Sequence, residues 1–210
     1  IRPILRGRDI KRYGFDFADQ YIIATFPSKN YNIDDYPAVK EYLLSFGIER
    51  LEQSGKQYTI NGEIVKSRKK TNNKWFETQD SISYWDDFSK QKIVWGEISD
   101  KPKFAIDENG DYYVEATSFY MTGDMLFYLL HYLNSSLSKF YFSKLGTTTG
   151  VGTIRWKKFK LEELPIPKPD MLSPETLKKL MGTLNENEAD KLILSIYPFT
   201  SEELSSILEV

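Results

Sequence analysis

The chain has 210 residues, with 28 Lys and Arg against 30 Asp and Glu, a formal charge of −2, a 40% hydrophobic content and a mean hydropathy of −0.47. These values fit a globular chain long enough for one sizeable core and exclude disordered, collagenous and coiled-coil classes. The absence of cysteine excludes a disulfide scaffold, thiolate catalysis and thiolate-held metal, and the longest nearly apolar run, residues 125–133, falls well short of the about 20 residues needed to cross a bilayer.

In chain order, the sequence opens Ile1-Arg2-Pro3 without an initiator Met or an apolar leader, so we read it as a piece of a longer polypeptide with a cytoplasmic address. YIIATF at 21–26 predicts a strand, and DDYPAVKEYLLSFG at 34–47 predicts a helix with Pro37 in its first turn and Gly47 at its end. Asn61-Gly62 and Asn109-Gly110 each predict a hairpin turn, because both residues tolerate positive φ. KIVWGEI at 92–98 predicts a further strand. From Asp124 to Phe142, Leu126, Leu129, Leu130, Leu133 and Leu137 recur at helical spacing, with a break expected near Asn134-Ser135 and one face packed on the sheet. The three prolines of PIPKPD at 165–170 forbid a helix or central strand there and mark a boundary. Beyond it, 174–181, 186–197 and 201–208 predict short helices, the last opened by a Thr200–Glu203 capping box. The expected fold is α+β: a mixed or antiparallel twisted sheet with hairpins, packed by helices. A body over 1–167 is followed by a linker and short helical tail over 168–210.

The near-neutral sum hides three basic segments, at 2–12, 66–74 and 155–160. In the first, LRGRDIKRY at 5–13, Arg forks match phosphate oxygens, although a solvated segment with Asp9 paired to an Arg explains it equally. In the second, KSRKKTNNKWFETQ at 66–79, bases, amides and aromatics interleave. Arg and Lys suit guanine edges, Asn suits adenine, and Lys charges suit phosphates, whereas the plainer reading is a polar loop whose Trp75 and Phe76 re-enter the core. The third, KLGTTTGVGTIRWKKFK at 144–160, sets three glycines and four threonines beside Arg155, Lys157 and Lys158. Glycine-rich backbone can nest anions, and a loop closing a hairpin is the alternative. It is not a Walker loop, since the G-x-x-x-x-G-K-[ST] spacing is missing.

Catalytic constellations are absent from the pattern. His131 is the sole histidine and lies in the most apolar helix, which favours a satisfied core residue over a base. Asp34-Asp35, Asp86-Asp87 and Glu162-Glu163 are adjacent in sequence and point apart on regular structure, which suits caps and solvent rather than metal or acid chemistry. The chain itself is expected to be no enzyme.

The order of LRGRDIKRY at 5–13, YIIATF, NKWFETQ at 73–79, KIVWGEIS at 92–99, DYYVEATSFYM at 111–121, YLLHYLNSSLSKFYF at 128–142 and LEELPIP at 161–167 resembles the TaqI-like C-terminal specificity domain. That is the target-recognition domain of adenine-specific DNA methyltransferases and fused restriction–modification enzymes. The ending LSIYPFTSEELSSIL at 194–208 is also similar to that of many such enzymes. The resemblance implies a double-stranded DNA partner and a methyltransferase domain N-terminal to this chain, and it implies that the whole enzyme cleaves DNA in some members. That domain would hold S-adenosyl-L-methionine, so no cofactor and no membrane contact are expected for this chain. By position, Arg68, Lys69, Lys70, Asn72, Asn73 and Lys74 would lie on one recognition loop and Thr147, Thr148, Thr149 and Arg155 on another, with Lys157 and Lys158 beside it. LRGRDI would belong to the junction with the catalytic domain. The pI near 5.6 departs from a free-standing DNA binder and implies that the partner domain supplies much of the phosphate contact. The competing reading from composition is an aromatic-rich carbohydrate- or protein-binding module, motivated by 4 Trp, 14 Tyr and 13 Phe.

Overall fold

The computed structural model of the chain describes residues 1–145 and 152–209. They form two compact units, the first from Ile22–Trp85 with Ile1–Arg2, the second from Pro3–Tyr21 with Asp86–Val210. The chain starts with β1 (Arg2–Leu5), a small hairpin of β2 (Ile10–Lys11) and β3 (Gly14–Phe15), and β4 (Tyr21–Ile22). Unit 1 then contains α1 (Pro37–Leu44), α2 (Ile48–Leu51), β5 (Gln57–Ile60) and β6 (Glu63–Lys66). Unit 2 resumes with β7 (Lys92–Gly96), β8 (Ile98–Ser99), β9 (Phe104–Asp107), β10 (Tyr113–Val114) and β11 (Ser118–Met121). Helices α3 (Leu126–Leu133) and α4 (Ser136–Leu145), strand β12 (Ile154–Arg155) and α5 (Lys158–Leu161) follow, and α6 (Pro174–Leu180), α7 (Glu186–Leu194) and α8 (Ser201–Leu208) close the chain. The architecture is α+β, as expected.

In unit 1, Asn61 and Gly62 take the positive φ values of 50° and 84° that a tight two-residue turn needs, and β5 pairs antiparallel with β6 from Gln57↔Lys66 to Ile60↔Glu63. Pro37 occupies the first helical position of α1, where its missing N–H costs nothing. The strand expected over 21–26 is corrected: only Tyr21–Ile22 are strand. Thr25 is drawn off instead, its hydroxyl donating to Phe76 O at 2.6 Å and its carbonyl accepting from Thr78 N at 3.0 Å. Phe26, Ile33, Val65 and Phe76 are the buried apolar side chains of this unit.

In unit 2, β7 is the central strand of an antiparallel sheet ordered β11-β7-β9, and its first four residues are all buried. Alternation explains why. Ile93 and Trp95 face a cluster with Leu126, Leu130, Leu133, Phe142 and Trp156, while Val94 joins Leu5, Ile10 and Ala105 in another. Lys92 is fully buried, ion-paired with Asp107 and donating to Phe88 O at 2.6 Å, so its charge is satisfied on both counts.

The hairpin expected at Asn109-Gly110 is a second correction. The turn exists, with Gly110 at φ 72°, but β9 pairs with β7, whereas β10 runs parallel to β1 through Ile4↔Tyr113 and Leu5↔Val114. The Asp107 carboxylate causes the divergence, because it accepts Asp111 N at 3.0 Å and Tyr112 N at 2.9 Å and turns the backbone away from its partner strand.

The helix expected over 124–142 breaks where anticipated, between α3 and α4. Buried Asn134 supplies the reason: its amide brackets Phe104, accepting from N at 3.1 Å and donating to O at 2.9 Å. The N-terminus of α4 is capped from α7, with Asp190 accepting from Ser136 N and Ser136 Oγ, each at 2.6 Å. Leu180, Ile193 and Ile207 of the last three helices are buried with Tyr128, Tyr132 and Leu137. The proline-rich segment hands its spare carbonyls to tyrosines: Tyr128 OH donates to Pro167 O at 2.7 Å and Tyr132 OH to Pro165 O at 3.1 Å. The Thr200–Glu203 capping box is formed. His131 is buried, and its Nε2 donates to Gly182 O at 2.9 Å; burial pushes its pKa down. No helix among the described residues is long and apolar enough to cross a membrane.

Candidate functional site

Two places carry clustered charge on scaffolded backbone, one in each unit. In unit 1 the stretch after β6 is held from the inside. Arg68 donates through Nε to Leu51 O at 2.8 Å, through Nη1 to Glu77 O at 2.9 Å, and through Nη2 to Leu51 O and Trp75 O. Burial lowers its guanidinium pKa, and the fork of bonds to carbonyls offsets that desolvation. Gln53, itself buried, donates to Lys74 O at 3.1 Å and Glu77 O at 2.8 Å and accepts from Thr71 Oγ1 at 2.6 Å. Asn73 Nδ2 donates to Thr78 O and Gln79 O, both at 3.0 Å, and Glu77 accepts Lys74 N at 2.7 Å.

This arrangement sorts the residues expected on the loop. Arg68 and Asn73 bond inward. Lys69, Lys70 and Asn72 are exposed, with side chains that have no partner among the described residues, and the Lys74 ammonium is 57% exposed, 3.9 Å from Glu77. Gln53 and Glu77, which hold the loop, were not singled out by sequence reasoning. A buried Gln twenty residues upstream gives no local signal.

In unit 2 the first basic segment lines a cleft of about 650 Å³, which the third reaches only through Glu97. The floor is backbone: a Cβ on Gly96 would stand 3.0 Å from Gly7 Cα and 3.1 Å from Gly7 O. Ser118 Oγ, buried close to Gly7, has no hydrogen-bond partner among the described residues. Arg6 grips Asp9 with both arms of its fork, at 2.9 and 2.8 Å, and holds that carboxyl below the usual range. Arg12 is likewise committed, donating to Asn134 O at 2.8 Å and lying 3.1 Å from Glu186. Arg8 and Lys11 stand at the cleft with Lys103.

From the third segment, Arg155 and Lys157 approach Glu97 of the cleft at 3.0 and 3.7 Å, and Lys158 pairs with Glu162 at 3.6 Å. Thr147, Thr148 and Thr149 lie outside the described residues. The residues expected on the two loops therefore belong to different units. Arg8, Lys11 and Lys103 join the candidates, and the close Gly7–Gly96 approach that shapes their cleft has no sequence signature.

Comparison with known proteins places this geometry. The profile of the TaqI-like C-terminal specificity domain matches residues 2–166. No curated protein sequence matches the chain. Among solved structures, the type IIG restriction endonuclease BpuSI is similar with a TM-score of 0.53, 12% identity and coverage of 99% of this chain. That likeness is one of fold, and the chain spans about a quarter, 25%, of the length of that enzyme. Since the profile extends from β1 through the end of α5 and into the proline-rich segment, the chain belongs to the TaqI-like C-terminal specificity domain family.

Proposed function

We propose that the chain is the sequence-reading DNA module of a restriction–modification enzyme, and that the stretch from Lys69 to Lys74 contacts the duplex. The observation that carries this reading is the internal bonding of that stretch. Arg68 and Asn73 donate to the carbonyls that flank it, those of Leu51, Trp75, Glu77, Thr78 and Gln79, and Gln53 holds Lys74 O and the Thr71 hydroxyl, while Lys69, Lys70 and Asn72 remain exposed without partners among the described residues. Such a loop meets DNA with little ordering left to do, which is what lets a few polar contacts discriminate between bases. Lys69, Lys70 and Lys74 act on phosphates and Asn72 on a base edge.

The family assignment and the restriction endonuclease among the fold neighbours support the same reading. On that reading residues 1–167 are the target-recognition domain and 168–210 its helical tail. Arg155, Lys157, Lys158 and Thr147–Thr149 form a second contact region. An adenine-specific methyltransferase domain, with its S-adenosyl-L-methionine, precedes Ile1 in a cytoplasmic enzyme, which flips the target base out of the stack.

The test is a salt series of duplex binding from a randomised pool, comparing the chain with Lys69→Glu/Lys70→Glu. Losing two phosphate contacts lowers the slope of log K against log salt by about 1.8, with an unchanged thermal transition. Equal slopes for the two proteins would refute the role of the loop.

A further inference from the structure

We propose that the unit 2 cleft is a separate phosphodiester-binding groove, which grips the DNA backbone without reading bases. This rests on the DNA-reading function proposed above and assigns a second site to it. The charges around the cleft are unequally committed. Glu97 is neutralised by Arg155 at 3.0 Å and Lys157 at 3.7 Å, and Glu115 is occupied by Gly7 N at 3.3 Å and Thr117 Oγ1 at 2.8 Å.

The cations are differently placed. Arg8 is exposed and has no side-chain partner among the described residues. The Lys11 side chain is 50% exposed, its ammonium donates to Arg8 O and is 3.7 Å from Asp16, whose side chain is 81% exposed. Among the described residues the Lys103 side chain, 33% exposed, pairs at 2.7 Å with Asp100, whose side chain is 61% exposed. Pairs of this solvated kind exchange readily for a phosphate. Glu97 is thus matched by its own cations and Glu115 keeps its charge beside Arg6, while Arg8, Lys11 and Lys103 are the cations the cleft can offer an anion.

Shape selects the ligand class. Gly7 and Gly96 pack backbone to backbone in the lining and add no side chain to it, and the volume of about 650 Å³ exceeds what one inorganic phosphate fills, which leaves room for an extended chain. Among the described residues the lining contains no aromatic ring on which a base could stack. An unbranched run of phosphodiesters meets both conditions, whereas a nucleoside or a splayed single strand would leave its bases without a platform.

The test uses the 210-residue chain and Arg8→Glu/Lys11→Glu with two probes, the duplex pool and an abasic deoxyribose-phosphate oligomer that carries backbone but no bases. For the duplex, the variant should show a slope of log K against log salt reduced by about 1.8, with the order of preferred sequences and the thermal transition unchanged. The abasic oligomer should bind the unaltered chain and not the variant. Duplex binding by the unaltered chain with the same slope in the variant, and no effect on the abasic oligomer, would overturn the groove and leave the DNA-reading function standing. Abasic binding that the variant loses, without any enriched duplex sequence, would sustain the groove and overturn the reading function.

Discussion

Replacing Arg68 with Ala should unfold unit 1 early while the neighbouring lysines can be removed freely. The guanidinium serves three main-chain carbonyls, those of Leu51, Trp75 and Glu77. A hydrogen bond from a charged donor contributes about 1.5–3 kcal/mol net. Arg68 is only partly buried, so water reaches some of the carbonyls after truncation; stranding one or two of them costs about 2–4 kcal/mol. In a unit of this size each kcal/mol moves the midpoint by about 4–8 °C, which places the transition of unit 1 roughly 8–32 °C lower. Arg68→Lys should recover less than half, because an ammonium lacks the planar fork. Lys69→Ala and Lys70→Ala should stay within about 0.5 kcal/mol of the unaltered chain. Calorimetry paired with tryptophan fluorescence reports this, since Trp75 and Trp85 lie in unit 1 and Trp95 and Trp156 in unit 2. An Arg68→Ala chain that melts like the original, yet binds DNA less well, would show that Arg68 faces the duplex and that the internal bonding argument is wrong.

Two further outcomes follow from close packing and from burial. A Cβ on Gly110 would stand 2.2 Å from Ser89 O at a φ of 72°, whereas one on Gly62, at φ 84°, meets nothing within 4 Å. Gly110→Ala should therefore cost about 3 kcal/mol or more, and Gly62→Ala about 1–2 kcal/mol of left-handed strain alone; equal urea midpoints would contradict the packing. Burial pushes the phenols of Tyr13 and Tyr128 up to about 12. Because the folded values are raised, the associated stability is complete below the ordinary phenol pKa of about 10 and is lost as pH climbs through 12. A urea midpoint that stays flat across that window would refute it, and Tyr128→Phe should narrow the loss.

Local order was legible in the residues, and long-range commitment was not. The α3–α4 break, the three closing helices and strand β7 follow from spacing and punctuation within a dozen residues of each other. The Asn109-Gly110 hairpin failed because its outcome depends on Asp107, which also holds Lys92 from another strand and ties down Asp111 and Tyr112. Within the basic segments, too, the pattern of residues does not tell which charges are committed inward. Composition counts Arg6, Arg8, Arg12, Arg68 and Lys69 alike, but Asp9, Asn134 and the Leu51 carbonyl claim three of them and leave Arg8 and Lys69 to solvent. Aromatic content left core and surface equally open; Trp95, Trp156, Tyr128 and Tyr132 prove to be core. The clefts and the Gly7–Gly96 contact depend on residues about ninety positions apart, beyond any window of pattern.

The way unit 1 is spliced into the chain bears on how such a module could change its target. None of the three apolar clusters of unit 2 takes a residue from positions 22–85, so the frame keeps its interior whatever the inserted block contains. Doubling the length of a connection between two fixed ends adds only about 0.6 kcal/mol of closure entropy. Blocks of different size and sequence can thus be exchanged between the junctions after residues 21 and 85, with the third crossing after Arg2 kept, at little thermodynamic cost to the frame. On the proposed reading, diversification proceeds by whole-block replacement in a constant chassis, and chimeras grafted near residues 21 and 86 test it.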